Sequence, residues 1–410
     1  MKICVIGLGY IGLPTAAVFA REKYEVLGID INEKIIQKIN QGQIHITEPD
    51  LNSLVSEVTK KGYLRASLNL EQADVFIICV PTPFKGKNYK ADLTYIQNAV
   101  KNLAPFLKKG DLIILESTSP LGTTQKISFT LSKLRKDLSF AHESKNPDVH
   151  IAYCPERVLP GFILKELVSN DRIIGGITEK CAQKAASLYQ SIILGKCLIT
   201  DAKTAEMVKL VENTSRDIQI AFANELSMIC DKSGVDVNEL IALANRHPRV
   251  NILKPGCGVG GHCIAVDPYF IISAFPKQSK LIRTARKVNN AKPEFVVQKI
   301  IENSIKLKSK KIVCLGLAFK PDTDDLRESP AIRIVEELVI KNYEVYVVEP
   351  YIKELPPKLK NQCKLLKFEQ ALKYDNIAIL VAHQLFKNKQ LFKGKQVLDF
   401  CAALYDEKER

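Results

Sequence analysis

A cysteine set in a run of glycines is the strongest chemical signal in this chain. The segment reads Pro255-Gly-Cys-Gly-Val-Gly-Gly-His-Cys263, followed by Ile-Ala-Val-Asp267. Gly256, Gly258, Gly260 and Gly261 lie within the eight residues before Cys263. Glycine lacks a Cβ, tolerates positive φ and lets backbone come close to a ligand, so the segment reads as one that presents a thiol. A nucleophilic thiolate needs cations or helix ends nearby to lower its pKa. Lys209, Arg249 and Arg283 are candidate suppliers. Cys257 with the adjacent His262-Cys263 pair raises a metal alternative, but it lacks the paired ligand spacing of a zinc site and a second cluster. No metal is expected, and Cys257 is read as a bystander.

A second chemistry opens the chain. Gly7-Leu-Gly9-Tyr10-Ile11-Gly12 follows an apolar run and precedes a helical pattern. In such a turn the first glycine allows the bend, the second admits a pyrophosphate and the third lets helix and strand pack. The pyrophosphate sits on the helix N-terminus. Asp30 ends the next strand pattern, where an acid accepts ribose hydroxyls and repels a 2′-phosphate, so NAD is expected rather than NADP.

Three further segments follow apolar runs of strand length: Pro81-Thr82-Pro83, Ser117-Thr118-Ser-Pro120 and Cys154-Pro-Glu156-Arg157. The carboxyl ends of strands line the ligand crevice of an open α/β sheet. Their hydroxyls are candidates for a cofactor contact or an ordered water, with turn and capping roles as the alternative. Glu156 is a candidate base or water-orienting group. Glu206, Lys209 and Asn213 share one face of a helical pattern, either as part of a site or, for Glu206 and Lys209, as a surface ion pair.

The elements that must position these residues are legible in outline. Residues 3–7, 25–30, 75–80, 112–117 and 150–153 read as strands, alternating with helical stretches such as 10–22. That alternation implies βαβ units and a mainly parallel sheet. From residue 204 to about 303 the pattern turns helical, and from 310 strands return at 311–316, 343–349, 376–381 and 396–400. The expected fold is α/β, with two Rossmann-like doubly wound domains joined by a central helical region. The domain expectation is 1–200 for NAD, 201–305 for the helices with the cysteine loop, and 306–410 for a second α/β unit.

Composition narrows the class. The chain has 410 residues, 46% of them hydrophobic, which is ordinary for a globular protein. No apolar run approaches the roughly 20 residues that span a bilayer, and Met1-Lys2 leads directly into a strand pattern rather than a leader, so a cytoplasmic protein without a membrane role is expected. Eleven cysteines lie scattered without framework spacing, which argues against disulfides. The net charge of +14 favours anionic partners. The lysines are dispersed, so anionic small molecules are preferred over nucleic acid.

Taken in order, these segments resemble the UDP-glucose/GDP-mannose dehydrogenase family along essentially the whole chain. The resemblance runs through Gly7-Leu-Gly-Tyr-Ile-Gly-Leu-Pro14, Val80-Pro-Thr-Pro83, Ser117-Thr118, Cys154-Pro-Glu156, Ala205-Glu-Met-Val-Lys209-Leu-Val-Glu-Asn213, Gly260-Gly-His-Cys263 with Asp267, and Ala318-Phe-Lys320-Pro-Asp-Thr-Asp-Asp-Leu-Arg327. It implies a four-electron oxidation of a sugar nucleotide, C6 alcohol to carboxylate, with two NAD reduced. By the same resemblance Cys263 forms a thiohemiacetal and then a thioester. Lys209 and Asn213 stabilise oxyanions, and Thr118, Glu156 and Asp267 hold water and assist proton transfers. Gly7, Gly9, Tyr10, Ile11, Gly12, Asp30, Pro81, Thr82, Thr118 and Arg327 are implied to contact the cofactor. Arg157, Lys209, Asn213, Arg249, Gly260 and Lys320 are implied to contact substrate, Arg249 in some members from a partner subunit. The C-terminal unit is implied to bind UDP and the central helices to form a homodimer core. Gly316-Leu-Ala-Phe departs from the dinucleotide pattern and receives no second NAD.

Departures from the UDP-glucose branch point elsewhere for the substrate. Val266 stands where that branch has lysine, and Pro160 where it commonly has a second glutamate. The loop Gly-Gly-His-Cys-Ile-Ala-Val-Asp267-Pro-Tyr-Phe-Ile with Leu281-Ile-Arg-Thr-Ala-Arg286 looks most like the branch acting on UDP-N-acetyl-D-mannosamine. The UDP-N-acetylglucosamine branch is the nearest alternative. A nucleotide-binding regulator without catalysis is the alternative from another class.

Overall fold

The structure, a computed structural model, describes residues 1–85, 90–159 and 161–405. Pro160 therefore lies outside the described residues. The chain forms two compact units, Met1–Val211 and Glu212–Arg410.

The first unit is built on an eight-stranded sheet. Its strands are β1 (Lys2–Ile6), β2 (Glu25–Ile29), β3 (Leu64–Ser67), β4 (Val75–Ile78), β5 (Leu112–Leu115), β6 (His150–Tyr153), β7 (Arg172–Gly176) and β8 (Cys197–Asp201). They lie in the order β8-β7-β6-β5-β4-β1-β2-β3. Pairing is parallel except between β6 and β7, so β7 and β8 run against the rest. The two innermost strands, β4 and β5, are apolar at every position because helices cover both faces. Alternate residues point to opposite faces: Ile3, Val5, Ile77 and Ile114 join one core, and Cys4, Phe76, Ile78 and Ile113 the other. The chain reverses direction across the sheet between β1 and β4, the topological switch point where ligands bind. The sequence pattern did not single out β3, β7 or β8. Leu64-Arg-Ala-Ser67 is short and half polar, and β8 is an edge strand with Leu198 and Ile199 exposed.

Helices that position site residues in this unit are α1 (Gly12–Arg21), α2 (Thr123–Leu134), α3 (Ile163–Ser169) and α4 (Glu179–Tyr189). The long α5 (Ala202–Ser233) begins in the first unit and ends in the second.

In the second unit α5 is followed by α6 (Val237–Ala244), α7 (Asp267–Ala274) and α8 (Lys280–Lys306). A parallel sheet then forms from β9 (Lys311–Leu315), β10 (Glu344–Val348), β11 (Lys364–Leu365), β12 (Asn376–Ile379) and β13 (Gln396–Asp399), with α9 (Pro330–Ile340) between β9 and β10. The order is β11-β10-β9-β12-β13, again reversing beside its first strand. Among the described residues no helix is long and apolar enough to cross a membrane.

Candidate active site

The glycine turn after β1 fits a dinucleotide. Gly7 has φ +93°, and a Cβ on it would stand 2.6 Å from the Cys79 carbonyl oxygen. A Cβ on Gly12 would stand 1.8 Å from the Gly7 oxygen. Those two glycines serve the fold. Gly9 is different: a Cβ there would meet nothing within 4 Å, so the protein does not itself require this glycine. The open space lies at the start of α1, whose first turn carries no acid, and that is the cradle an anionic pyrophosphate needs. Tyr10 is exposed and Ile11 half-buried in the same turn. Asp30 is tied to it, accepting from the Leu8 N–H and the Asn32 N–H, both at 3.0 Å. The structure thus brings together Gly7, Gly9, Tyr10, Ile11, Gly12 and Asp30.

The carboxyl ends of β4, β5 and β6 carry the next group. Pro81 and Thr82 follow β4, and Thr82 Oγ1 donates to the Thr118 carbonyl at 2.6 Å. Ser117 Oγ lies 2.7 Å from the Val80 carbonyl. Thr118 is half-buried. Glu206 forms no part of a surface ion pair: it is fully buried and turned toward the start of α2. It accepts from the Gly122 N–H (2.5 Å) and from Thr124 N–H and Oγ1 (both 2.7 Å). A carboxylate satisfies otherwise unpaired amides there and suits the helix dipole. Lys209, three residues on, donates from Nζ to the Glu156 carbonyl at 2.6 Å. Arg157 is engaged through its guanidinium with the Asp171 carbonyl at 2.5 Å.

Glu156 itself is buried. One carboxylate oxygen pairs with Arg172 and the other accepts from the Arg157 N–H at 2.8 Å. Arg172 also reaches Glu116 at 3.4 Å. Burial raises the Glu116 pKa, the Arg172 charge opposes that, and the Glu156 charge adds to it. Glu116, Arg172 and Tyr189 belong to the crevice floor, and sequence reasoning missed all three. They stand far apart in the chain, so no local spacing could have linked them.

In the second unit Cys263 is half-buried in the turn that leads into α7. Its carbonyl accepts from the Asp267 N–H at 2.9 Å. Asp267, buried at the first position of α7, accepts from Asn213 Nδ2 at 2.5 Å. Cys263, Asp267 and Asn213 therefore form one connected group. The glycines ahead of Cys263 have a packing reason of their own. A Cβ on Gly260 would stand 2.6 Å from the Glu328 oxygen, and one on Gly261 2.9 Å from the Phe319 ring. The Gly261 N–H donates to the Arg327 carbonyl at 3.0 Å. Arg327 is exposed and grips Asp325 with its fork, at 2.9 and 2.5 Å. Arg249 is exposed and Lys320 half-buried. Cys257 is buried, donates to the Leu380 carbonyl at 3.4 Å, and is pushed up to about 12 by burial.

The second sheet repeats the first turn with a different ending. Gly7 N donates to the Ile29 oxygen and Gly316 N to the Val348 oxygen, each at 2.8 Å. The residue after β2 is Asp30; the residue after β10 is Glu349. Glu349, one methylene longer, accepts from both the Leu317 and Ala318 N–H groups, at 2.7 and 3.0 Å. His383 Nε2 lies 3.1 Å from the same oxygen, and Glu349 is buried.

Known proteins share this chain's whole length. Residues 1–193 match the NAD binding domain of the UDP-glucose/GDP-mannose dehydrogenase family, 203–291 its central domain and 313–406 its UDP binding domain. The chain is 57% identical over 405 residues to a UDP-N-acetyl-D-mannosamine dehydrogenase of Campylobacter jejuni, covering 98% of this chain and 99% of that one. It is 56% identical over 388 residues to an NDP-N-acetyl-D-galactosaminuronic acid dehydrogenase of Ralstonia solanacearum, covering 94% and 91%. The solved structure of a UDP-D-ManNAc dehydrogenase from Pyrococcus horikoshii superposes with a TM-score of 0.88 at 40% identity, covering 99% and 96%.

Proposed function

The chain belongs to the UDP-glucose/GDP-mannose dehydrogenase family, and from that premise we propose that it oxidises UDP-N-acetyl-D-mannosamine at C6 to the uronate, reducing two NAD per sugar. The observation that carries this reading is the 57% identity, over 98% of the chain, to a dehydrogenase named for that substrate.

The Gly7–Gly12 turn and Asp30 hold NAD, with Pro81, Thr82, Thr118 and Arg327 as further contacts, and bound NAD supplies the hydride acceptor. Cys263 Sγ adds to the C6 aldehyde to give a thiohemiacetal, which becomes a thioester on loss of the second hydride. Lys209 and Asn213, one turn apart on α5, stabilise the negative charge that develops on oxygen, a large effect in a dry site. Asp267, held by Asn213 and adjoining Cys263 in the same turn, assists proton transfer. Thr118 and Glu156 hold the water that cleaves the thioester. Arg157, Arg249, Gly260 and Lys320 contact the sugar nucleotide. The protein acts as a cytoplasmic homodimer that supplies a uronic acid for polysaccharide. Support for the dimer comes from α5, which leaves Phe222 and Ile229 exposed along one side, with Ile218 half-buried one turn before Phe222.

The test supplies each sugar nucleotide as the limiting reagent with excess NAD. Two NADH are expected per UDP-N-acetyl-D-mannosamine, and little from UDP-N-acetylglucosamine, UDP-glucose or, given the Ralstonia relative's name, UDP-N-acetylgalactosamine. Preference for another sugar would keep the chemistry and move the substrate. No NADH from any of them would overturn the reading.

A further inference from the structure

The floor of the first unit's crevice holds an ion cluster with an uneven composition: one guanidinium serves two carboxylates. Arg172 opens β7 and is 4% exposed. It pairs with Glu156 and Glu116, and its guanidinium lies 4.4 Å from the Tyr189 ring centroid. Glu116, at the end of β5, accepts from Tyr189 Oη at 2.5 Å, Cys79 Sγ at 3.1 Å and Thr15 Oγ1 at 3.3 Å. The cluster therefore ties α1, β4, β5, β7 and α4 together beneath the crevice. Buried charges cost stability unless they are paired and hydrogen-bonded. A cluster of apolar side chains would fill the same space at lower cost, so the charges suggest a use. Glu156 is the member to which the proposed function assigns a role. Both of its oxygens are engaged, one by Arg172 and one by the Arg157 N–H, yet each oxygen has a further lone pair with which to accept a hydrogen bond.

We propose that Arg172 is a positioning residue for thioester hydrolysis, fixing Glu156 so that it orients the attacking water, with Glu116 as the rear anchor of Arg172. This rests on the reading of Glu156 given under the proposed function. In the step concerned the water oxygen bonds to the acyl carbon. The carbon–sulfur bond breaks with its electron pair on Cys263. One water proton passes to the sulfur and one to solvent, leaving the uronate. In this proposal Arg172 acts on the reacting atoms through Glu156, so it controls this step and leaves the two hydride transfers nearly untouched.

Arg172→Lys keeps the charge and loses the planar fork. The experiment mixes enzyme rapidly with excess NAD and UDP-N-acetyl-D-mannosamine and follows NADH, with melting temperature as the folding control. The variant is expected to show the first two hydride transfers within about threefold of the parent rate. Its steady-state rate should fall by about 10- to 100-fold, and acid quench should trap an acyl group on Cys263, seen by mass spectrometry. Glu116→Gln should show the same split to a smaller degree, and it carries the test if Arg172→Lys does not fold. Equal slowing of hydride transfer and hydrolysis, or an unchanged steady-state rate in a folded variant, would overturn the proposal. If the parent protein forms no NADH from this sugar, the functional reading falls and the proposal with it.

Discussion

Among eleven thiols, burial decides which can react. Desolvation disfavours a thiolate. It pushes Cys4, Cys154 and Cys257 up to about 12 and Cys363 up to about 11, and raises Cys79, Cys197, Cys314 and Cys401 as well. Cys263 is half-buried in the turn that leads into α7. One equivalent of iodoacetamide near neutral pH should therefore label Cys263 before those eight, with NADH formation lost in proportion. Labelling spread over other cysteines with activity intact would remove Cys263 as the nucleophile. Cys263→Ser should lower steady-state turnover by at least about 10³-fold. At this scale the residues with local signatures were legible: the Gly7–Gly12 turn, Asp30, and Cys263 with Asp267. Glu116 and Arg172 were not, because each looks like an ordinary charge until folding brings strands 56 residues apart together.

Helices show where pattern reading reaches and where it stops. The helical character of the central region was plain from its apolar spacing. The direction of Glu206 was not, because its partners, Gly122 and Thr124, lie more than 80 residues away. On α8, Lys292 is another charge that spacing hides. It is 2% exposed, donates to Ser227 Oγ, lies 4.5 Å from the Phe295 ring centroid, and lines a cavity of about 380 Å³. Burial brings its pKa from 10.5 down to about 8. The folded chain thus gives up this proton more readily than the unfolded one. Between about pH 8 and 10.5 the unfolded chain binds more protons, so stability rises with pH across that window, and below it the full cost of burying the charge remains. Lys292→Met should stabilise the fold at pH 7 by up to about 3 kcal/mol, with the gain gone near pH 10.5. Urea unfolding at the two pH values checks this; an equal change at both would show that the charge is not what matters.

At the scale of the molecule, the succession of α/β, helical and α/β segments could be read from the alternation of apolar runs. The division into Met1–Val211 and Glu212–Arg410 could not, because α5 runs through it without a break in helical pattern. The same helix carries the assembly prediction. Phe222→Glu places a charge on its exposed apolar side, and light scattering should report a dimer for the parent and a monomer for the variant. A variant that remains a dimer would move the interface elsewhere. The two sheets also differ in what their first turns have left to offer. Asp30 engages one amide beside Gly9, whereas Glu349 engages two, and Ala318 stands where the first turn has glycine. The second turn is thus more fully ligated by its own chain. If only the first turn takes a dinucleotide, the two NAD that the proposed reaction consumes per sugar must use it in succession. Spent NADH must then depart and a fresh molecule arrive while the half-oxidised sugar stays behind. In that proposal, the interval between those events sets how long the bond to Cys263 has to last.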